Sequence, residues 1–303
     1  MRVGVVLLLA LALSAAPAAA AVRTATAGGY WTNSGIWGGT APADGDDAVI
    51  DSGVTVTVDV ATAMLSSLTN NGTLAFSGWT TSLNATNVEI NGNVTHIPET
   101  TTATNASGQW IPGQRACFVC TNFTLTGGGT INLDGKGYQG STSGSYVAGR
   151  GPGGSGSAPY GPAGAGHGGR GGFAALFGGN GLQYGGASHG SVTDPSDPGS
   201  SPGMNQSTPA VHGGGVVRIE AADKFIVNGV ISANGQTGTG SRSGAAGGSV
   251  CVYCRTVEGS GVIRVNGGHA GLDYSDEGGG SGGRIAIHYD VMAQAAVTPA
   301  PTV

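Results

Sequence analysis

The stretch "GGGVVRIEAADKFIVNGVISANG" (213–235) opens on glycines and alternates apolar with polar residues through Val217, Ile219 and Ala221. It then continues into further short strands and closes on Asn-Gly. Thirty-two or thirty-three residues on, "GGSVCVYCRTVEGSGVIRVNGG" (247–268) repeats the plan, and "GGGSGGRIAIHYD" (278–290) begins it again. Upstream, "RACFVCTNFTLTGGGTINLDGKG" (115–137) fits the same template, with "GTINLDG" standing where "GVISANG" and "GVIRVNG" stand later. Alternation at period two marks strands with one buried face. Self-similarity at this period, without a helical pattern, indicates a β-solenoid whose rungs stack about 4.8 Å apart. Val217, Ile219 and Ala221 are the expected inward face of one unit, and Val250 and Val252 that of the next. A β-sandwich offers similar strands, but has less reason to repeat G-x-I-x-x-(N/D)-G three times.

Earlier in the chain, "AVIDSGVTVTVDV" (48–60) places Val54, Val56 and Val58 on one strand face and Thr55 and Thr57 on the other. "GTLAF", "NVEING" and "NVTHI" follow at short intervals. Sixty glycines with only 10% charged residues argue against helices, since glycine costs about 1 kcal/mol relative to alanine per helical position. The expected fold is all-β, a right-handed parallel β-helix (β-solenoid) with a long glycine-rich insertion. Rungs occupy 21–136, the insertion 137–212, further rungs 213–290, and a tail 291–303. Residues 137–203 carry 23 glycines without a strict third-position period, which excludes collagen. Two readings of that region stand. One is a flexible excursion too poor in apolar side chains to offset its ordering entropy. The other is packed extended chain in which glycine permits close backbone approach, docked by "GFAALFGG" with Tyr138, Tyr146, Tyr160 and Tyr184.

Residues 1–20 read as a signal peptide: Arg2 as the positive n-region, "VGVVLLLALAL" as the apolar core, and "SAAPAAA" as the small residues a signal peptidase accepts. An uncleaved N-terminal anchor is the alternative. No later run approaches a membrane span. The expected location is therefore secreted, extracellular or cell-surface. A net charge of −5, with Lys136 and Lys224 the only lysines, argues against nucleic acid and anionic membrane surfaces as partners.

The repeated units, with their "VNGVISANG" and "GVIRVNGG" endings, resemble glycine-rich secreted repeat proteins of parallel β-helix type. The similarity covers most of residues 115–290. The opening "WTNSGIWGGTAPADGDDAVIDSGVTVTVDV" (31–60) is similar to the N-terminal strand unit of β-helical surface proteins. The resemblance implies fold and surface location, and it implies no catalytic residues.

Cys117 aligns with Cys251 and Cys120 with Cys254 in the repeat, so each CxxC is a rung feature. Export favours two disulfides among these four. An extended strand separates i and i+3 by about 10 Å, whereas a disulfide needs Cα atoms roughly 4.4–6.8 Å apart. Either each CxxC bends sharply on itself, or Cys117 pairs with Cys251 and Cys120 with Cys254 across rungs that must then be adjacent. A four-cysteine zinc site and free thiols are the alternatives; no metal site is assigned.

Six histidines are scattered, and His167, His189, His212 and His269 sit beside glycines, where solvated loop side chains are expected. Arg284, His288 and Asp290 in "RIAIHYD" share one strand face and form the best catalytic geometry on offer. Basic groups on a solenoid face serve polysaccharide lyases in proton abstraction, but an ordinary polar face is the simpler reading. Asp44, Asp46, Asp47 and Asp51, and separately Asp273, Asp276 and Glu277, are candidate calcium clusters, although neither matches a calcium-loop pattern. Asn71, Asn84, Asn93, Asn105, Asn122 and Asn205 head glycosylation sequons. The leading function is a structural or adhesive protein contacting extracellular polysaccharide or matrix, with self-association as a further property and no cofactor. The alternative is a polysaccharide lyase or glycoside hydrolase on the same scaffold; ice binding by Thr ladders is a weaker third.

Overall fold

The structure, a computed structural model, describes residues 20–142, 147–156, 162–175, 182–204, 210–271 and 277–297. Residues 1–19, read above as part of a signal peptide, Tyr146, Tyr160, Asn205, Asp273, Asp276 and residues 298–303 of the tail lie outside the described residues.

The chain is all-β, with two long parallel sheets in a β-solenoid-like arrangement. Successive strands alternate between the sheets, so each consecutive pair makes a rung. The rungs are β1 (Val22–Ala25) with β2 (Gly29–Tyr30), β3 (Asp47–Ile50) with β4 (Thr55–Val58), β5 (Ala61–Asn70) with β6 (Thr73–Phe76), and β7 (Ser82–Ile90) with β8 (Asn93–His96). β9 (Ala116–Leu125) and β10 (Thr130–Asn132) follow. After a short antiparallel pair, β11 (Ala174–Ala175) and β12 (Leu182–Gln183), come β13 (Val216–Val227) with β14 (Val230–Ser232), β15 (Ser249–Glu258) with β16 (Val262–Arg264), and β17 (Arg284–His288). The eight-stranded sheet runs β1-β3-β5-β7-β9-β13-β15-β17, and the seven-stranded sheet runs β2-β4-β6-β8-β10-β14-β16. Thus β9 lies beside β13 although some ninety residues separate them in sequence, as the repeat alignment requires.

Parallel register stacks like upon like. Leu83, Phe118, Ile219, Val252 and Ile287 form one inward row, and Ala48, Leu68, Val88, Phe123, Phe225 and Val257 another. In the facing sheet Val56, Leu74, Val94, Ile131, Ile231 and Ile263 line up in the same way. The expected inward residues Val217, Ile219, Ala221, Val250 and Val252 are all buried. Two polar residues enter these rows. Asn70 sits between Ile50 and Ile90 and donates to the Asn93 carbonyl at 2.9 Å. His96 follows Phe76 in its row. The first rung is closed by a 3₁₀ turn, Ser34–Trp37, capped by Asn33. Trp31 and Trp37 meet edge to face there, 4.8 Å apart, and the Trp37 indole donates to the Trp31 carbonyl at 2.9 Å.

The described parts of the glycine-rich region take the packed form, but without the expected aromatic docking: Tyr138 is buried, whereas Phe173 and Tyr184 are exposed. Gly164 donates to Gly172, Gly171 to Gly186, and Gly186 back to Gly164. Gly166 donates to Gly153, Gly168 to Gly282, and Gly172 to Gly279. These chains lie outside the two sheets and bond to several neighbours, giving a bundle of extended backbones. It includes the connections between β14 and β15 and between β16 and β17, through bonds such as Ala165 to Gly244 and Ser281 to Ala165. A Cβ on Gly164 would collide with the Gly279 carbonyl, and one on Gly185 with Gly171. Side chains are excluded there by sterics, which is why this segment is so poor in them. Backbone hydrogen bonds replace apolar side chains as the ordering force.

Candidate functional site

The bundle and the loop at 97–115 wall a groove of about 580 Å³ lined by Asn105, Gly108, Gln109, Trp110, Pro152, His189, Gly190 and Asp197. Trp110 is half-buried and rests edge to face on buried Tyr138, 5.4 Å away. Its loop is shaped from within: Glu99, buried, accepts amide N–H bonds from Thr101, Gly113 and Gln114. Asn105 Oδ1 accepts from the Ser107 and Gln109 amides, closing the turn that precedes Trp110.

The opposite wall is a histidine stack. His189 lies on His167 with centroids 4.6 Å apart. His167 is fully buried and not the solvated loop residue expected from its glycine neighbours; its Nδ1 lies 2.6 Å from the Gly247 carbonyl. Burial pushes the His167 imidazole down to about 3, helped by the neighbouring His189. Burial also lowers His189, against the opposing pull of Asp197 and of the Ala187 and Pro198 carbonyls. Both rings are therefore neutral near pH 7. Gly190 has φ +76°, and a Cβ there would point between the Asp197 carboxylate and His167 Nε2. That places a carboxylate and an imidazole nitrogen on the same small space.

Arg284, His288 and Asp290 do not converge. Arg284 donates to the His189 carbonyl at 2.8 Å and the His167 carbonyl at 3.4 Å, so it clamps the backbone behind the histidine stack. His288 stacks on Tyr253, 4.4 Å between centroids, with Nε2 2.5 Å from the Thr193 carbonyl. Asp290 lies past the end of β17 and caps the short helix α1 (Val291–Gln294) through the Met292 and Ala293 amides. The shared strand face is real for Arg284 and His288, but the glycine-rich segment partly covers it. Asp194 of that segment binds Arg218 at 2.6 Å and accepts from Tyr253 at 3.2 Å.

All four cysteines are free in the structure, which does not contain the two disulfides expected from export. Neither route is open: each CxxC lies within one extended strand, and across rungs Arg218 stands between Cys117 and Cys251, and Ala221 between Cys120 and Cys254. Each pair is two rungs apart, about 9–10 Å, beyond disulfide reach. Burial raises the Cys120 thiol to about 12 and those of Cys251 and Cys254 to about 11, which makes them unreactive.

Among the described residues, no cluster of three His, Cys, Asp or Glu side chains could hold a metal. In the first candidate calcium cluster, Asp46 accepts from the Ala21 and Ala43 amides and from Arg23, Asp44 from the Met64 amide, and Asp47 from Ser67. These hydrogen bonds, led by the Ala43 amide, hold the Asp46 carboxyl below its ordinary value. Of the sequon asparagines, Asn71 and Asn105 are exposed. Asn84, Asn93 and Asn122 are tied to Thr62, Thr130 and Asn87 across rungs.

Residues 36–142 match the G8 domain family model. The G8 domain occurs in extracellular proteins. The G8-matching segment runs from the Trp37 cap to the start of the glycine-rich bundle and supplies one wall of the groove; the histidine wall lies outside it. No curated protein and no solved structure matches the chain. No helix among the described residues is long and apolar enough to cross a membrane.

Sequence reasoning missed Trp110, His189 and Asp197 as a group because they are far apart along the chain. The only local signal was an aromatic in the turn-rich "GQWIPGQ".

Proposed function

We propose that this is a secreted structural or adhesive protein, built as a right-handed parallel β-helix, that holds extracellular polysaccharide or matrix glycan in the Trp110 groove. The observation that carries this reading is the pairing of a half-exposed indole with hydrogen-bonding groups across a shallow trough. An aromatic face suits the C–H face of a sugar, and convergent polar groups suit its hydroxyls. Gln109 supplies a side-chain donor and Asp197 an acceptor, while His189 contributes only its ring face, because both of its ring nitrogens are enclosed. The described lining holds one carboxylate, Asp197, whereas glycoside hydrolysis generally uses two. His288, the lyase base the sequence offered, has its Nε2 against the Thr193 carbonyl and its ring stacked on Tyr253. The stacked rungs provide a stiff frame that fixes the groove.

The test is retention of the purified protein on a panel of insoluble and immobilised polysaccharides, with parallel assays for new reducing ends and unsaturated sugars. Retention without cleavage supports binding as the activity. Cleavage of any retained glycan would favour the enzyme reading.

A further inference from the structure

The two ends of the stack differ. At the N-terminal end the Trp31–Trp37 pair closes the core, and the Arg23–Asp46 ion pair sits beside edge strand β1. At the other end the inward rows stop in solvent. Ile285 is 42% exposed, whereas Val250, its partner one rung before, is 0%. Val262 and Tyr289 are exposed too, and Met292 is 84% exposed. Among the described residues, nothing pairs with the outer edge of β17.

The direction of the free backbone groups follows from the observed bonds. The Arg284 and Asp290 amides donate inward, to Gly248 and Arg255 of the β15 side. Strand alternation therefore turns the N–H and C=O groups of Ile285 and Ile287 outward. An open row of this kind, beside exposed apolar side chains, is a template for another strand. The neighbouring strand is protected where β17 does not reach it: Gln294 uses its side-chain amide to pair with both the N–H and the C=O of Val257, at 2.7 and 2.9 Å. The pairable edge is thereby confined to β17.

We propose that this edge joins a second copy of the chain, β17 against β17, antiparallel and centred on Ala286. The sequence Arg284-Ile-Ala-Ile-His288 is self-complementary about that centre. Ile285 falls opposite the second copy's Ile287, and these are the residues with outward N–H and C=O groups, so each pair exchanges two hydrogen bonds. Their side chains continue the inward rows across the interface. Arg284 falls opposite the second copy's His288, so no two acids and no two guanidinium groups face each other. Closed two-fold pairing uses the open end twice and leaves the capped N-terminal end free, whereas head-to-tail stacking would need that capped end.

Ala286 would lie opposite itself at a non-hydrogen-bonded position, where Cα atoms approach to about 4.5 Å, within disulfide range. The experiment is sedimentation analysis of the wild-type protein and of Ile287→Lys, with oxidative cross-linking of Ala286→Cys. Expected are a wild-type dimer, a monomeric Ile287→Lys, and a covalent dimer from Ala286→Cys under an oxidant that leaves wild type uncross-linked. A wild-type monomer at about 100 µM, as when residues 298–303 cover the edge instead, would overturn the proposal. So would open-ended oligomers, or a dimer unaffected by Ile287→Lys and not trapped by Ala286→Cys.

Discussion

His96 Nε2 accepts the backbone N–H of Val216 at 3.0 Å, bridging 120 residues of sequence. Its Nδ1 lies 2.7 Å from the Ile97 carbonyl, and the ring is fully buried. This imidazole therefore joins the rungs before the glycine-rich region to those after it, and it must be neutral to accept from Val216.

Burial pushes His96 down to about 4 from 6.5. A histidine lowered in the folded state is protonated first in the unfolded chain. Its contribution is complete above about pH 6.5 and is lost as pH falls toward 4. The shift corresponds to about 3 kcal/mol across that window, and His167 adds in the same direction. Urea unfolding at pH 7 and pH 4.5 should show the loss. His96→Phe should cost about 1–3 kcal/mol at pH 7 by leaving the Val216 N–H unpaired, and should flatten the pH dependence.

Close packing of the glycine bundle makes alanine costly at chosen positions. Gly164→Ala drives a Cβ into the Gly279 carbonyl, whereas Gly127→Ala points into open space. Gly164→Ala should lower stability by about 1–3 kcal/mol or more, and Gly127→Ala should be near neutral. Thermal melts of the two variants, read against wild type, check this.

The thiols should stay reduced in the folded protein. Alkylation after air exposure and denaturation should label four cysteines by mass, and alkylation without denaturation should label almost none. Two disulfides in the purified protein would contradict either the register that puts Arg218 and Ala221 between the cysteines or the extended course of β9 and β15 through each CxxC.

Arg284 positions the histidine wall through two carbonyls. Arg284→Met should speed amide exchange around residues 188–190 and weaken glycan retention several-fold. Arg284→Lys, which keeps one donor, should fall between. Unchanged exchange with lost retention would instead put Arg284 in direct contact with the glycan.

Much of the architecture is legible in the sequence because period-two alternation and a fixed repeat length constrain parallel register directly. Val217, Ile219, Val250 and Val252 stand in the rows their alternation indicates. Cysteine pairing is less legible, since it depends on which rungs adjoin, and β13 lies between β9 and β15. The groove is least legible. Trp110, His189 and Asp197 meet only after the glycine bundle folds against the 97–115 loop, and that packing rests on backbone bonds without a side-chain pattern. His167 shows the same effect: beside glycines it reads as a surface residue, yet those glycines are what bury it.

Affinity electrophoresis of wild type and Trp110→Ala, through gels containing the glycan that retains the wild type, tests the groove most directly. Retardation of the wild type, reduced at least tenfold in Trp110→Ala with an unchanged thermal melt, is the expected result. Equal retardation of both proteins would contradict glycan binding in this groove.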